Sequence, residues 1–366
     1  MNVVGAEVEA LRLPLRRPLA TSQGALAIRE GFLLRLRSDT GVTGIGEASP
    51  AYWIGEGSPA RTADDLRRVV ALVGRQPRSD AVRARLLDGA AGASISPAAA
   101  CAVDGALLDL EARTRGVGLG AVLGAAGAAD VPIAALIGGA APDLVMAEVE
   151  AALTAGFQTL KLKVGIAALA DEVWQVAAVR ARVGAGVRLR LDANRAWAPE
   201  DARRALAAFA PFDVEYVEEP LRSAEPEALA ALARATPVPL AVDESIVDAA
   251  DVLRLVAAGA RVHVVLKAAR VGGPTRLVAL ARLAHAAGLP VIVTDSIEST
   301  IGMSVAVHAA AALPGPRFAV GLGGAQLLIA ESGVAPHPLC RPWLAPVGPG
   351  WGVAPGGEAG KVARHG

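Results

Sequence analysis

The sequence predicts an α/β protein, a (β/α)8-type barrel with an N-terminal α+β domain. Two observations predict it. From Val131 onward, eight short apolar runs rich in β-branched residues alternate with Ala-rich helical stretches. The charged residues closing these runs also recur at the length of one strand–helix unit, roughly 24–29 residues (163 to 192, 218, 243, 267 and 295). An open doubly wound sheet is the alternative, but no glycine-rich phosphate turn follows the early strands.

The first third differs in pattern. Segments around EVEALRLPL and GFLLRLRSDTGVTGIGEASP read as an antiparallel meander, and TADDLRRVVALV follows as a helix with Thr62 as its expected cap. Ser96 and Pro97 open another helix. The barrel strands are expected as VPIAALI from Val131, TLKLKV from Thr159, VRLRLD from Val187 and VEYVE from Val214. PLAVD from Pro239, HVVLK from His263, PVIVTD from Pro290 and RFAVG from Arg317 complete the eight. Between them lie helical patterns such as DEVWQVAAVRARV and PEDARRALAAFA, the second with Pro199 in its first turn. The expected division is residues 1–128 for the α+β domain, 129–335 for the barrel, and 336–366 for a Pro- and Gly-rich end. That end is too short to fold alone and is expected to return to the first domain.

Composition excludes several function classes. With 53% hydrophobic residues and a net charge of zero over 366 residues, the chain is globular rather than disordered. No basic run offers a nucleic-acid footprint. The longest stretch without a full charge, Ser299 to Pro316, is interrupted by Gly302, His308, Pro314 and Gly315, so no membrane span is expected. The first residues lack the pattern of a signal peptide. Cys101 and Cys340 are too few for a disulfide framework or a zinc site. The expectation is a soluble, cytoplasmic protein.

Lysine is scarce: of 36 basic residues only Lys161, Lys163, Lys267 and Lys361 are lysines, and three of them fall in strand-like segments. An arginine stays charged, whereas a desolvated or crowded lysine amine can lose its proton, so these positions are candidates for proton transfer. Strand ends in a barrel share one mouth. Those ends are Lys163, Asp192, Glu218, Asp243, Lys267 and Asp295. Three carboxylates gathered without a counterion repel one another, and a hard divalent cation, Mg2+ or Mn2+, resolves the conflict. Such an ion makes the α-proton of a bound carboxylate removable, and a neutral lysine on the flank can take it. Strand-end carboxylates also cap helices, and Asp243, ahead of Glu244 and Ser245, fits that role too. Composition does not separate Glu218 from Glu219 as the inward residue. Arg190 shares a face with Asp192 and Asn194, either to orient substrate or to pair with a neighbour. His263 and His308 read as structural.

Taken together, LKLKVG, the LDAN, VEEP and VDES strand ends and Lys267 resemble the enolase superfamily, muconate-lactonizing branch, over the whole barrel. TSQG and GIGEASP resemble the loops of that family's capping domain. The resemblance implies Asp192, Glu218 and Asp243 as Mg2+ ligands, the first Glu of the EEP motif being the one the family uses. It implies Lys163 as the acid/base on one face, Lys161 tuning it, and Lys267 on the other face. LRLDANRAWAP and DSIESTIGM are most similar to the o-succinylbenzoate synthases, which dehydrate a cyclohexadiene carboxylate in menaquinone synthesis. Arg190, Asn194, Asp295, Ser296 and Glu298 are then the expected substrate-binding residues. Asp295 departs from the serine frequent there, and an extra carboxylate favours an ammonium-bearing substrate. The same residues serve N-acylamino acid racemases and dipeptide epimerases, in which both lysines exchange protons. Muconate cycloisomerase and a non-catalytic metal-binding homologue are further alternatives; a Schiff-base aldolase has no use for three carboxylates. The expected partner is a small-molecule carboxylate, read at its far end by loops near Thr21–Gly24 and Ala51–Gly57, and a homo-oligomer is compatible with the sequence.

Overall fold

The computed structural model describes residues 2–21, 24–55, 57–73, 95–126, 130–139, 141–223, 225–315, 318–323, 327–329, 343–344 and 348–352. Strands β1 (Val3–Thr21), β2 (Gly24–Ser38) and β3 (Thr43–Ala48) form an antiparallel sheet in chain order, the expected meander. The β1–β2 register slips between Pro14 and Leu19, where Pro14 has no N–H to give the ladder. Helices α1 (Pro59–Val73), α2 (Pro97–Arg115) and α3 (Leu119–Val122) follow. Ser96 stands at the N-cap of α2 with Pro97 behind it, as expected. Thr62 does not cap α1. The helix starts three residues earlier at Pro59, where Ser58 Oγ accepts from Arg61 N at 3.4 Å, and Thr62 N already donates to Ser58 O.

Helix α2 lies directly on β3, and glycines make that possible. A Cβ on Gly46 would stand 2.0 Å from Ala102 O, and one on Gly44 2.2 Å from Ala106 O. Leu34, Leu36, Leu66, Val69, Val103 and Leu110 fill the core of this domain.

The eight predicted barrel strands are all present. They are β4 (Val131–Ile137), β5 (Thr159–Lys163), β6 (Arg188–Asp192), β7 (Val214–Glu218), β8 (Leu240–Val242), β9 (His263–Leu266), β10 (Val291–Val293) and β11 (Val320–Gly321). Each pairs in parallel with the next from β4 to β10, β11 returns beside β4, and a bridge between Thr294 and Gly321 closes the ring. Around it stand α4 (Pro142–Thr154), α5 (Leu169–Val183), α6 (Pro199–Phe209), α7 (Pro226–Ala235), α8 (Ala249–Ala257), α9 (Ala268–Val271), α10 (Pro274–Ala286) and α11 (Thr300–Ala311). Proline opens α4, α6, α7 and α10, where its missing N–H has no intrahelical acceptor to lose.

Strand β12 (Trp343–Leu344) adds an antiparallel pairing to β4. Trp351 lies against the N-terminal domain: its Nε1 donates to Ile45 O at 2.5 Å and its N to Asp109 Oδ1 at 2.9 Å. The expected boundaries at 128 and 335, and most of 336–366, fall outside the described residues. Among the described residues no helix is long and apolar enough to cross a membrane.

Candidate active site

Register places the charged strand ends side by side. Lys163 pairs with Asp192, and Asp192 with Glu218. Asp243 and Lys267 stand immediately past β8 and β9. Two residues further down the same strands, Lys161, Arg190 and Tyr216 are level with one another. Because side chains alternate, both layers point into the barrel.

The two layers touch through lysine amines. Lys161 Nζ donates to Glu218 Oε1 and Oε2 at 2.7 and 2.8 Å, and lies 2.9 Å from Asp192 Oδ2. Lys163 Nζ reaches Asp192 Oδ2 at 2.8 Å and Asn194 Oδ1 at 2.5 Å. On the opposite side Lys267 Nζ pairs with Asp243 Oδ2, and Arg270 Nη1 reaches Asp243 Oδ1 at 3.2 Å.

These contacts decide the protonation states. Burial alone would push the Lys161 amine down, but Asp192 and Glu218 outweigh it and hold the amine well above the usual lysine range. Lys267 is raised in the same way, its burial overcome by Asp243 and Glu244. At Lys161 and Lys267 neither desolvation nor neighbouring cations win against two carboxylates, and both amines are held in the charged form. Asp192 and Asp243 are lowered: burial works against both, and Lys161 with Lys163, or Lys267 with Arg270, prevails. Glu218 goes the other way. Burial, reinforced by Asp192 and Asp243 and opposed by Lys161, pushes it up to about 8.

The choice between Glu218 and Glu219, open at the sequence level, is made by the backbone. Glu219 has φ +42°, which breaks strand alternation. Its Oε1 accepts from Asp243 N, Ser245 N and Ser245 Oγ at 2.7–2.8 Å, and Arg195 Nε lies 3.3 Å from Oε2. Glu219 therefore braces the loop after β8, leaving Glu218 to face Lys161. Asn194 and Arg195 also have positive φ (43° and 63°), so strained backbone clusters around this mouth as it does at functional sites. Arg270 and the Glu219–Ser245–Arg195 brace escaped the sequence reading. The lysine-plus-three spacing of Arg270 was a signal available there.

The expected substrate-binding residues divide into three groups. Asn194 joins the lysines, its Nδ2 reaching Glu244 Oε1 at 3.3 Å. Arg190 faces inward but lies lower, where Glu215 Oε2 (2.5 Å) and Ala319 O (2.7 Å) take its guanidinium and Tyr216 stacks beneath it. Asp295, Ser296 and Glu298 form the turn after β10 and are buried against the N-terminal domain. Glu298 N lies 3.5 Å from Asp295 Oδ2, and Arg29 Nε reaches Ser296 O at 3.4 Å. Arg29 is itself stacked over Trp53, 4.0 Å from the ring centre. Of the expected structural histidines, His308 Nδ1 accepts from Gly120 N, and His263 packs between Tyr216 and Phe318 below the mouth.

Among the described residues no three His, Cys, Asp or Glu side chains are gathered tightly enough to hold an ion as they stand; the lysines supply the countercharge. The donor chemistry nevertheless fits a hard divalent cation. Asp192, Glu218 and Asp243 offer only oxygen, come from adjacent strands, and are at most 2% exposed.

Fold and site together define an enzyme of the capped-barrel class. Its family follows from sequence comparison. The profile for the mandelate racemase / muconate lactonizing enzyme N-terminal domain matches residues 4–124, and the enolase C-terminal domain-like profile matches residues 144–359. The chain belongs to the enolase superfamily. A hydrophobic dipeptide epimerase of Roseobacter litoralis is 31% identical over 303 residues, 81% of this chain and 85% of that protein. An o-succinylbenzoate synthase of Mycolicibacterium smegmatis is 41% identical over 177 residues, but spans only 48% of this chain and 53% of its own length. Among solved structures, the Enterococcus faecalis dipeptide epimerase complexed with Mg and L-Leu-L-Tyr superposes with a TM-score of 0.88 at 26% identity, covering 96% of this chain and 99% of that one.

Proposed function

We propose that this protein abstracts the α-proton of a carboxylate substrate beside a Mg2+ ion held by Asp192, Glu218 and Asp243, and that the reaction is the syn-dehydration of o-succinylbenzoate synthase. The observation that carries the proton-transfer reading is the placement of Lys163 and Lys267 on opposite flanks of those three buried carboxylates. Asp192, Glu218 and Asp243 would hold the ion, which when bound would supply Lewis-acid polarisation of the substrate carboxylate and so a more acidic α-carbon.

The residues then divide the work. Lys163, the more exposed amine at 33%, takes the α-proton in its neutral form. As an ammonium it returns that proton to the hydroxyl leaving the neighbouring carbon, so water departs and the amine is restored. Asn194, against Lys163 Nζ, orients the amine. Lys267, held beside Asp243 and Arg270, stays cationic and faces the charge that develops on the substrate.

Dehydration is supported by the uncharged sector of the mouth. Strand β11 ends at Gly321 and is followed by Leu322 and Gly323, and Asp295 is buried with its carboxylate toward Glu298 N. That is a poor setting for a free ammonium group. The 41% identity to an o-succinylbenzoate synthase points the same way over half the chain. A second reading, racemisation or epimerisation of an amino-acid derivative, is favoured by the full-length likeness to dipeptide epimerases. Incubation in D2O separates the two. Dehydration predicts turnover of the cyclohexadiene carboxylate with no α-deuteration of dipeptides or N-acylamino acids; the reverse pattern establishes the second reading, and neither activity discards both.

A further inference from the structure

The turn between β10 and α11 is held from the other domain. Glu47, near the end of β3 and 4% exposed, accepts from Ser299 N at 3.0 Å, Ser299 Oγ at 2.5 Å and Gly302 N at 3.0 Å. It also accepts a local bond from Ser49 Oγ at 2.6 Å. Ser299 is the N-cap of α11. A carboxylate 252 residues away thus satisfies donors that a helix start otherwise leaves unpaired, and does so at the positive end of the helix dipole.

What this cap restrains matters more than the cap. At its other end the turn is fixed by Asp295 N donating to Gly321 O at 2.8 Å. Between the two anchors Ile297 has φ +57°, a conformation that costs a β-branched residue free energy and persists only when its surroundings over-determine it. Glu298 lies folded over the first turn of α11, where a Cβ on Gly302 would meet its Cβ at 2.5 Å. Arg29, from β2, adds the contact to Ser296 O. The turn starts level with Lys267, since Leu266 pairs with Val293. The capping sheet therefore grips the segment of the mouth that flanks one of the two lysines.

We propose that Glu47 is a positioning residue: by capping α11 across the domain boundary it fixes the Ser296–Glu298 turn beside Lys267 and so sets the shape of the substrate site. A purely structural docking role is the competing explanation, and the molecule contains its own control. Asp104, on α2, docks the same two domains by accepting from Thr275 N at 2.8 Å and Thr275 Oγ1 at 2.9 Å at the start of α10. No left-handed non-glycine residue lies in the segment it holds.

The test compares Glu47→Gln with Asp104→Asn in the full-length protein. Both are expected to lower Tm. Amide hydrogen exchange over residues 294–303 is expected to quicken about tenfold in Glu47→Gln, the effect of losing a cap, and to stay at the wild-type rate in Asp104→Asn. The kinetic arm rests on the proposed function: kcat/KM is expected to fall in Glu47→Gln mainly through KM, with Asp104→Asn near wild type. Unchanged exchange over 294–303 in Glu47→Gln, or the same change in Asp104→Asn, overturns the proposal. If Glu47→Gln does not fold, Ser299→Ala removes one of the three interdomain donors and is read by the same two criteria. Because exchange needs no substrate, a wild-type protein inactive on every compound offered sinks the proposed function without touching this inference.

Discussion

Lys163 touches Asp192 and Asn194 and keeps a third of its side chain open to solvent, which leaves it within reach of a substrate and makes it the amine proposed for proton transfer. Lys163→Ala is expected to reduce turnover by about 10²–10⁴-fold, the usual contribution of a positioned acid/base, while circular dichroism and Tm stay close to wild type. Turnover that survives intact removes this lysine from the reaction. The identity of these side chains was legible in the sequence because lysine is so scarce and because the strand ends recur at a fixed interval. Depth was less legible. Parity put Arg190 on the face of Asp192 correctly, yet a step of two residues along a strand lowers a side chain by about 6–7 Å, from the mouth to the level of Tyr216. Likewise no periodicity distinguishes Glu218 from Glu219, since the deciding event is a positive φ at Glu219.

At the level of elements, local chemistry was readable and packing was not. Runs of Val, Ile and Leu announced all eight barrel strands, and Ser96–Pro97 announced α2. The GIGEA stretch belongs to the predicted meander and is β3, but the reason for its glycines, the helix lying on them, was not readable. Their role depends on Ala102 and Ala106, more than 50 residues away, and no local pattern encodes it. Gly46→Ala places a methyl group 2.0 Å from the Ala102 carbonyl oxygen, so α2 must move off the sheet. The expected loss is about 1–3 kcal/mol, visible as a lower urea midpoint with an unchanged m-value. A variant as stable as the wild type shows that α2 does not pack as described.

For the molecule as a whole, the Mg2+ ion proposed among three buried carboxylates would link ion binding to folding. Mg2+ that binds only the folded state is expected to raise Tm in proportion to the logarithm of its concentration, about 2.7 kcal/mol when present at a hundredfold excess over Kd. The shift should disappear in Asp192→Asn or Asp243→Asn, and a Tm indifferent to Mg2+ in the wild type argues against the ion. The global architecture was legible from sequence because a repeated strand–helix unit leaves few topologies to choose from. The contact of Glu47 with Ser299 that joins the two domains was not, because it pairs residues from distant parts of the chain; the return of the C-terminal end to the first domain was expected, but not its partner Ile45. One further property follows from how the ring is shut. Among the described residues the short β11 and the bridge at Thr294 join β10 to β4, and both of those strands are complete before β11 is made. A nascent chain released short of Val320 would carry two raw sheet edges, each a template for pairing with another copy, so premature termination should yield aggregates rather than a shorter soluble protein.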